Sequence, residues 1–292
     1  MSANDMVDAL GVGDTDEPDA RGQPRNSLPR MSESAFSSLL YKMDHPNKGV
    51  ALIINNTTFH PRLFIRGHIG DSKRSLQEPS ADAELMVDLL KTLGFKDVMF
   101  YKDQTAADMK SILQKVASMD HTDSDCFVCV ILTHGDDGYV CATDDKIPVD
   151  ELLQPFKGHL CKSLAAKPKL FLIQSSKGFM PEKGERSFES AGEESNEEET
   201  VRRIPTEADF LMAYSMIPAW KNISKPSWFI QSIHDVFEQN WQTMDLLTMI
   251  TRVNKKVAQA FELNANNVYE NQNRQIPYIT SMLTKDLFFT TK

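Results

Sequence analysis

The sequence lacks the features that mark several classes of protein. No run of about 20 apolar residues occurs along the 292-residue chain, which predicts no membrane-spanning helix. The net charge of −9 and the lack of a basic stripe argue against nucleic acid as a partner. The chain starts with polar and acidic residues and without the basic and apolar regions of a secretory signal, so we expect a cytoplasmic protein.

Cysteine is scarce, and its four positions provide no disulfide framework, as is usual in a reducing compartment. Two of them, Cys126 and Cys129, have the C-x-x-C spacing of zinc and redox sites. They lie in an apolar run that predicts a buried strand, on which residues three apart face opposite sides. Such a pair cannot bind one metal ion, so we predict core cysteines, no metal site and no cofactor.

The organisation of the chain follows from shifts in composition. Residues 1–45 are rich in Asp, Ser, Pro and Gly and predict a short disordered leader. Residues 46–178 alternate apolar strands with amphipathic helices, and 204–292 resume that pattern after a Glu-rich flexible linker at 179–203. This alternation predicts the α/β class, with one mostly parallel sheet built from two chain segments that would survive a cut in the linker.

Two strand ends carry candidate chemistry, because ligands of open α/β sheets bind at the carboxyl ends of the strands. One end is Thr133-His134-Gly135, and the other begins at Gln174 and reads QSSKG. His134 is a candidate general base, and Gly135 is a candidate backbone donor to an oxyanion. A structural histidine at a strand end is the alternative.

The chain resembles the caspases, and in particular the effector caspases. THGDDG is similar to the family's histidine motif S-H-G-x-x-G, and QSSKG to its nucleophile motif Q-A-C-[RQG]-G. The likeness runs in order from about Met43 to Phe289 through NKGVALIINN, DHTDSDCFVCVILTHG, LAAKPKLFLIQ, EADFLMAYS, PSWFIQS, LLTMITRVNKKVAQAFE and QIPYITSMLTKDLFF. It implies a caspase-like three-layer sandwich with a six-stranded, mostly parallel sheet. It also implies a Cys–His dyad, an oxyanion hole and a pocket in which arginines recognise aspartate.

The nucleophile position departs from the family, because Ser176 stands where the resemblance implies cysteine. A thiol is partly ionised at neutral pH and strongly nucleophilic, whereas a hydroxyl must lose its proton during attack. Serine hydrolases orient the histidine with a carboxylate, which the caspase dyad lacks. We therefore expect that Ser176 does not react and that the chain is not an enzyme.

The substrate pocket implied by the resemblance is altered as well. Lys221 stands where an arginine should clamp the substrate, in a segment shorter than the family's, and lysine cannot reproduce a bidentate guanidinium contact. Arg74 is the nearest match to the other pocket arginine, in a longer loop. Gln174 and Trp228 remain as candidate lining residues.

The activation site is also different. The family is cut in its linker after aspartate, but no aspartate occurs between Asp150 and Asp209. The leader instead contains Asp-Glu-Pro-Asp ending at Asp19, a sequence of the kind that effector caspases cut. We expect cleavage after Asp19 and an uncut linker. Together with the serine, the lysine and the short pocket segment, the missing aspartate favours natural loss of proteolysis.

The sequence therefore predicts a regulatory caspase relative that binds an active effector caspase paralogue or an inhibitor of it. It does not give the sign of the effect, so binding would either raise or lower caspase activity. The C-terminal strand region, QIPYITSMLTKDLFF, is expected to supply the edge of a homodimer or heterodimer, with Tyr278 in its path. A second hypothesis is a weak or unusual endopeptidase that uses Ser176 and His134. A third is a module that captures cleaved ends, against which Lys221 argues.

Overall fold

A computed structural model describes residues 39–61, 63, 81–136, 138–176, 208–216, 226–263 and 276–291. The strands are β1 (Asn47–Asn55), β2 (Val98–Lys102), β3 (Ser124–Asp136), β4 (Tyr139–Cys141), β5 (Lys146–Pro148), β6 (Lys169–Ser176), β7 (Phe210–Met216) and β8 (Tyr278–Ser281). The helices are α1 (Ala81–Thr92), α2 (Ala106–Ala117), α3 (Val149–Leu153), α4 (Trp228–Asn240) and α5 (Leu246–Leu263). Short 3₁₀ helices lie at Gln154–Phe156 and Lys162–Leu164.

The main sheet has the strand order β2-β1-β3-β6-β7-β8. All neighbours along it are parallel except β7 and β8, and the β4–β5 hairpin extends from the end of β3. The prediction of a six-stranded, mostly parallel sheet is therefore confirmed for the main sheet. A sheet of this kind needs helices on both faces. β6 and β7, which come from the two segments on either side of the predicted linker, are neighbours in the sheet.

Alternate residues of the strands enter two apolar cores, one on each face of the sheet. One core contains Ile53 and Cys126 with residues of α1, α4 and α5, and the other contains Ile54 and Cys129 with residues of α2 and α3. The two cysteines of the C-x-x-C thus lie on opposite faces, as the strand period of two predicts. All four cysteines are buried and unbridged.

Residues 39–45, which the sequence places in the leader, pack against the sheet. The Tyr41 hydroxyl donates to Asp209 Oδ1 (2.7 Å), and the Thr284 hydroxyl donates to the same oxygen (2.6 Å). Leu40 also bridges Asp286. Ordered structure therefore begins before residue 45, because a tyrosine that is buried and hydrogen-bonded ties this segment to the part of the chain that follows the linker.

Two further sequence expectations differ from the structure or lie outside it. The predicted last pair of strands is one strand, β8, and an isolated bridge at Asp286. The linker at 179–203 and the leader up to residue 38 lie outside the described residues. None of the described helices is long and apolar enough to cross a membrane.

Candidate active site

The carboxyl ends of β1, β3, β6 and β7 form one edge of the sheet. The chain passes from β1 to β2 on one side and then to β3 on the other, so the strand order reverses between β1 and β3. Such a reversal opens a crevice at the carboxyl ends of the strands, where open α/β sheets bind ligands.

His134 and Ser176 lie at this edge, directly opposite each other. They are register partners on the parallel strands β3 and β6, which places their backbones about 4.8 Å apart. The histidine is half-buried. The structure therefore brings together the two positions that the sequence proposed as base and nucleophile. Histidine is the residue that most often acts as a general base, so the backbone register is compatible with that chemistry.

Gly135 fits a space that admits no larger residue. A Cβ at this position would lie 2.4 Å from the backbone oxygen of Tyr139 and 2.6 Å from Ser175 Oγ. Any side chain would force β3 away from β6 or away from the β4–β5 hairpin. The glycine therefore allows the backbone next to His134 to approach the end of β6.

The segment after β1 positions an aromatic ring against the histidine. The rings of Phe59 and His134 meet edge to face, with centroids 5.0 Å apart. Two residues before Phe59, the backbone N–H and hydroxyl of Thr57 both donate to Asp103 Oδ1 (2.7 and 3.1 Å), and the N–H of Thr58 donates to the same atom (2.9 Å). Asp103 adopts a positive φ of 53°, a conformation that Asp adopts more readily than most residues.

Sequence reasoning missed Phe59 and Asp103. The run Asn55 to Thr58 directly after an apolar strand was an available signal, because Asn and Thr cluster where side chains bind backbone in turns. The partner Asp103 comes from the end of β2, and only the folded sheet brings it there.

Buried polar side chains lie near the carboxyl ends of β6 and β7. Gln174 and Ser215 are register partners on β6 and β7, and both side chains are almost fully buried. Gln174 Oε1, Ser175 Oγ and Ser215 Oγ have no hydrogen-bond partner among the residues that the structure describes. Since leaving buried polar atoms unpaired costs free energy, a site that hydrogen-bonds a polar ligand is one explanation for their presence here.

Other predicted residues are not in this group. Arg74, Lys221 and Asp19 lie outside the described residues. Trp228 begins α4 and is partly buried against the core that contains α1. The structure therefore brings together His134, Gly135, Gln174 and Ser176, and it leaves the proposed roles of Arg74 and Lys221 as predictions.

Asp82 is a further titratable group, and it lies between the starts of two helices. Its Oδ1 accepts the backbone N–H of Ser227 (2.6 Å), and Ser227 in turn caps α4 by accepting from the N–H of Ile230. Burial raises the pKa of the Asp82 carboxyl to about 6, although the bonds from Ser227 oppose this shift. The carboxylate links α1 to α4.

Two observations concern thiols and metal ligands in the described part of the chain. Burial raises the pKa of the Cys129 thiol, which disfavours the reactive thiolate. No group of three or more His, Cys, Asp or Glu residues is arranged to bind a metal ion within the described ranges.

Comparisons with known proteins identify relatives of this chain. The caspase domain model of the peptidase C14 family matches residues 48–288. Caspase-7 of Gallus gallus is 34% identical over 272 residues, which cover 91% of this chain and 85% of that protein. Caspase-1 of Drosophila melanogaster is 38% identical over 257 residues, covering 86% and 76%. A solved structure of pro-sf-caspase-1 has a TM-score of 0.70 and 34% identity, covering 91% of this chain and 99% of that one.

These comparisons correct one expectation. The sequence argument from Ser176 predicted that the chain is not an enzyme, and this prediction is wrong: the matching model is that of a peptidase family, and the relatives are caspases. The family therefore points to an enzyme, whatever residue stands at position 176. The chain belongs to the caspase family.

Proposed function

We propose that this caspase-family protein regulates apoptotic proteolysis by pairing with an active caspase relative, or by occupying an inhibitor of that relative. The observation that carries the proposal is the free edge of β8. On one side β8 pairs with β7, and no described strand covers its other side. Tyr278, the first residue of β8, is 66% exposed, and Ile276, two residues before it, is 59% exposed. An apolar, unprotected strand edge is a surface on which a second sheet adds.

The serine at position 176 is compatible with regulation by binding. A hydroxyl is a much weaker nucleophile than a thiolate at neutral pH, so slow hydrolysis is expected of a serine beside His134. The fold around the site is nevertheless retained, with Gly135 and Gln174 buried at their places in the sheet. The retained fold supports a binding role that does not depend on the rate of hydrolysis at this site.

The test is a titration of the full chain into an active effector caspase, with hydrolysis of a D-E-x-D peptide as the readout. A rate that rises or falls saturably is expected for the wild type. Tyr278→Asp should abolish the effect, because it buries a charge in the sheet edge. Leu160→Asp is the matched control, since Leu160 is 52% exposed and lies far from β8 in sequence. If the titration has no effect, or if both variants retain it, pairing through β8 is wrong.

A second candidate function is endopeptidase activity by Ser176 and His134. The register supports it, because His134 and Ser176 are partners on adjacent strands, and a histidine close to a hydroxyl can act as its general base. Turnover by the protein alone that Ser176→Ala abolishes would support this function. Ser176→Cys measures the rest of the site: strong cleavage by this variant would mean that the pocket is competent and that the nucleophile limits the rate.

The leader and the linker give a further expectation for the same assay. Active effector caspase should cut after Asp19 and leave the linker whole, because residues 179–203 contain no aspartate. Mass spectrometry of the incubated protein checks this. Two stable halves cut within the linker would contradict it.

A further inference from the structure

The sheet has a second free edge, at β2. This strand ends the strand order, and no described strand pairs with its outer side. Its sequence is VMFYK, and Phe100 at its centre is 41% exposed. Edge strands usually carry charges that prevent pairing with other chains. On β2 the only charged residue is Lys102, at the last position, so most of the edge is unprotected.

A groove lies between α1 and Phe100 of this edge. It has a volume of about 440 Å³ and is lined by Ala83, Glu84, Val87, Asp88, Lys91 and Phe100. Phe100 is the register partner of Ile53, whose side chain lies in the core beneath α1. The exposed ring is therefore on the same face of the sheet as α1, and it forms one wall of the groove while Ala83 and Val87 form the other.

The rim of the groove is mainly acidic. Glu84 and Asp88 are exposed on α1, and Lys91 is the one cation among the lining residues. The acidic surface continues onto α4, where His234 lies 3.3 Å from Asp88 and 3.8 Å from Glu238. The carboxylates of Asp88 and Glu238 are 70% and 58% exposed. A ligand with positive charge beside an apolar group complements this surface.

We propose that β2 and this groove form a docking surface for an extended, basic peptide segment of a partner protein. The segment adds to the outer edge of β2 as a strand, so that its backbone bonds the free edge. An apolar side chain enters the groove beside Phe100. A lysine or arginine two positions further along, on the same face of the added strand, pairs with Glu84 and Asp88. This surface is separate from His134 and Ser176 and from β8, and it does not depend on either function proposed for them.

The experiment uses the full chain and two fluorescent octapeptides. In the first, valine, lysine, leucine and lysine alternate with threonine, so that apolar and basic side chains share one face of an extended strand. In the second, glutamate replaces both lysines. We expect saturable binding of the lysine peptide by fluorescence anisotropy, weaker binding of the glutamate peptide, and slower hydrogen exchange in residues 98–102 when the lysine peptide is bound.

Three variants locate the binding surface. Phe100→Asp is expected to weaken binding of the lysine peptide by about tenfold or more, because it removes an aromatic wall of the groove. Glu84→Lys should weaken binding of the lysine peptide and strengthen binding of the glutamate peptide. Because Glu84 is exposed on α1, this variant is expected to fold, so a change in affinity would not result from unfolding. Leu160→Asp should leave both affinities unchanged.

Three outcomes would overturn the proposal. The first is that the lysine peptide does not bind, or binds no better than the glutamate peptide. The second is that it binds Phe100→Asp, Glu84→Lys and Leu160→Asp equally. The third is protection of residues 98–102 that rises with protein concentration in the absence of peptide, which would identify a second copy of this chain as the occupant.

Discussion

At the scale of residues, two buried hydroxyls at the strand ends differ in their hydrogen bonding. The hydroxyl of Ser175 is fully buried and has no partner among the described residues, whereas the hydroxyl of Thr133, its register partner, donates to the Cys141 carbonyl at 2.6 Å. The two residues have similar burial but opposite hydrogen-bonding status. Their contributions to the free energy of unfolding should therefore have opposite signs.

We expect Ser175→Ala to raise the free energy of unfolding by about 1–3 kcal/mol, because an unpaired buried hydroxyl carries a desolvation cost of that order. Thr133→Val is the matched control and should lower it by about 1 kcal/mol, since it removes a hydrogen bond. Urea unfolding measures both. Destabilisation by Ser175→Ala would show that its hydroxyl is paired in the folded protein.

Gly135→Ala is expected to destabilise the protein by about 1–3 kcal/mol, as overpacking of a core does. The reason is the position of the new Cβ, 2.4 Å from the backbone oxygen of Tyr139. Thermal unfolding measures the loss. A variant as stable as the wild type would show that β3 and the β4–β5 hairpin separate without cost.

At the scale of elements, the two helices α1 and α4 are joined at their starts by Asp82. Its carboxylate accepts the N–H of Ser227, which is the N-cap residue of α4. Because the folded protein raises the pKa of Asp82 from 3.8 to about 6, the folded state holds the proton more tightly than the unfolded chain does. The stability that Asp82 contributes is therefore fully present below pH 3.8 and is lost as the pH rises through about 6.

Asp82→Asn should remove this pH-dependent loss of stability. The side-chain amide oxygen of asparagine still accepts the N–H of Ser227, but the amide does not ionise. We expect a smaller decline of stability between about pH 4 and pH 6 than in the wild type, and a higher stability at pH 7. Asp82→Ala removes the acceptor as well, and it should be less stable than Asp82→Asn at every pH. Urea unfolding at a series of pH values measures these differences. An unchanged pH profile in both variants would contradict the role given to Asp82.

At the scale of the whole molecule, buried polar groups join distant parts of the chain. Lys48 and Asp125 form an ion pair at 3.5 Å, and both side chains are fully buried. Lys48 also donates to the Thr290 carbonyl (2.8 Å), so the pair connects β1, the start of β3 and the C-terminal segment. Asp125→Ala is expected to destabilise the protein by about 3–5 kcal/mol, because it removes the carboxylate that neutralises the buried ammonium group. Denaturant unfolding measures this loss, and a change below about 1 kcal/mol would contradict it.

A cut in the linker should leave the molecule assembled. β6 and β7 come from opposite sides of the linker and pair along seven residues of each strand. A protease sequence inserted after Gly192 tests this: after cutting, the fragments should elute together in buffer and separate only in denaturant. Separation in buffer would show that the linker itself holds the two segments together.

The sequence was sufficient for the fold because its apolar periodicity is strong. The run around Cys126 and Cys129 predicted a buried strand with one cysteine in each core, and the alternating helices predicted a parallel sheet covered on both faces. Hydrophobic burial depends mainly on which residues are apolar and at what period, so this information is local in the chain. The same reading placed His134 and Ser176 at one sheet edge, because parallel strands end together.

Only the tertiary structure decided the contacts between residues far apart in the chain. The leader was expected to extend to residue 45, but Tyr41 is held by Asp209 and Thr284, and no local pattern announces such a bond. The same is true of the hydrogen bonds from Thr57 to Asp103 and from Ser227 to Asp82, and of the groove beside Phe100. Each depends on residues that are distant in the sequence. The sequence determined the family, the class of fold and the serine at position 176, since these are properties of individual residues and local patterns. The packing of side chains around them depends on the position and direction of every neighbour, and these exist only in the folded chain.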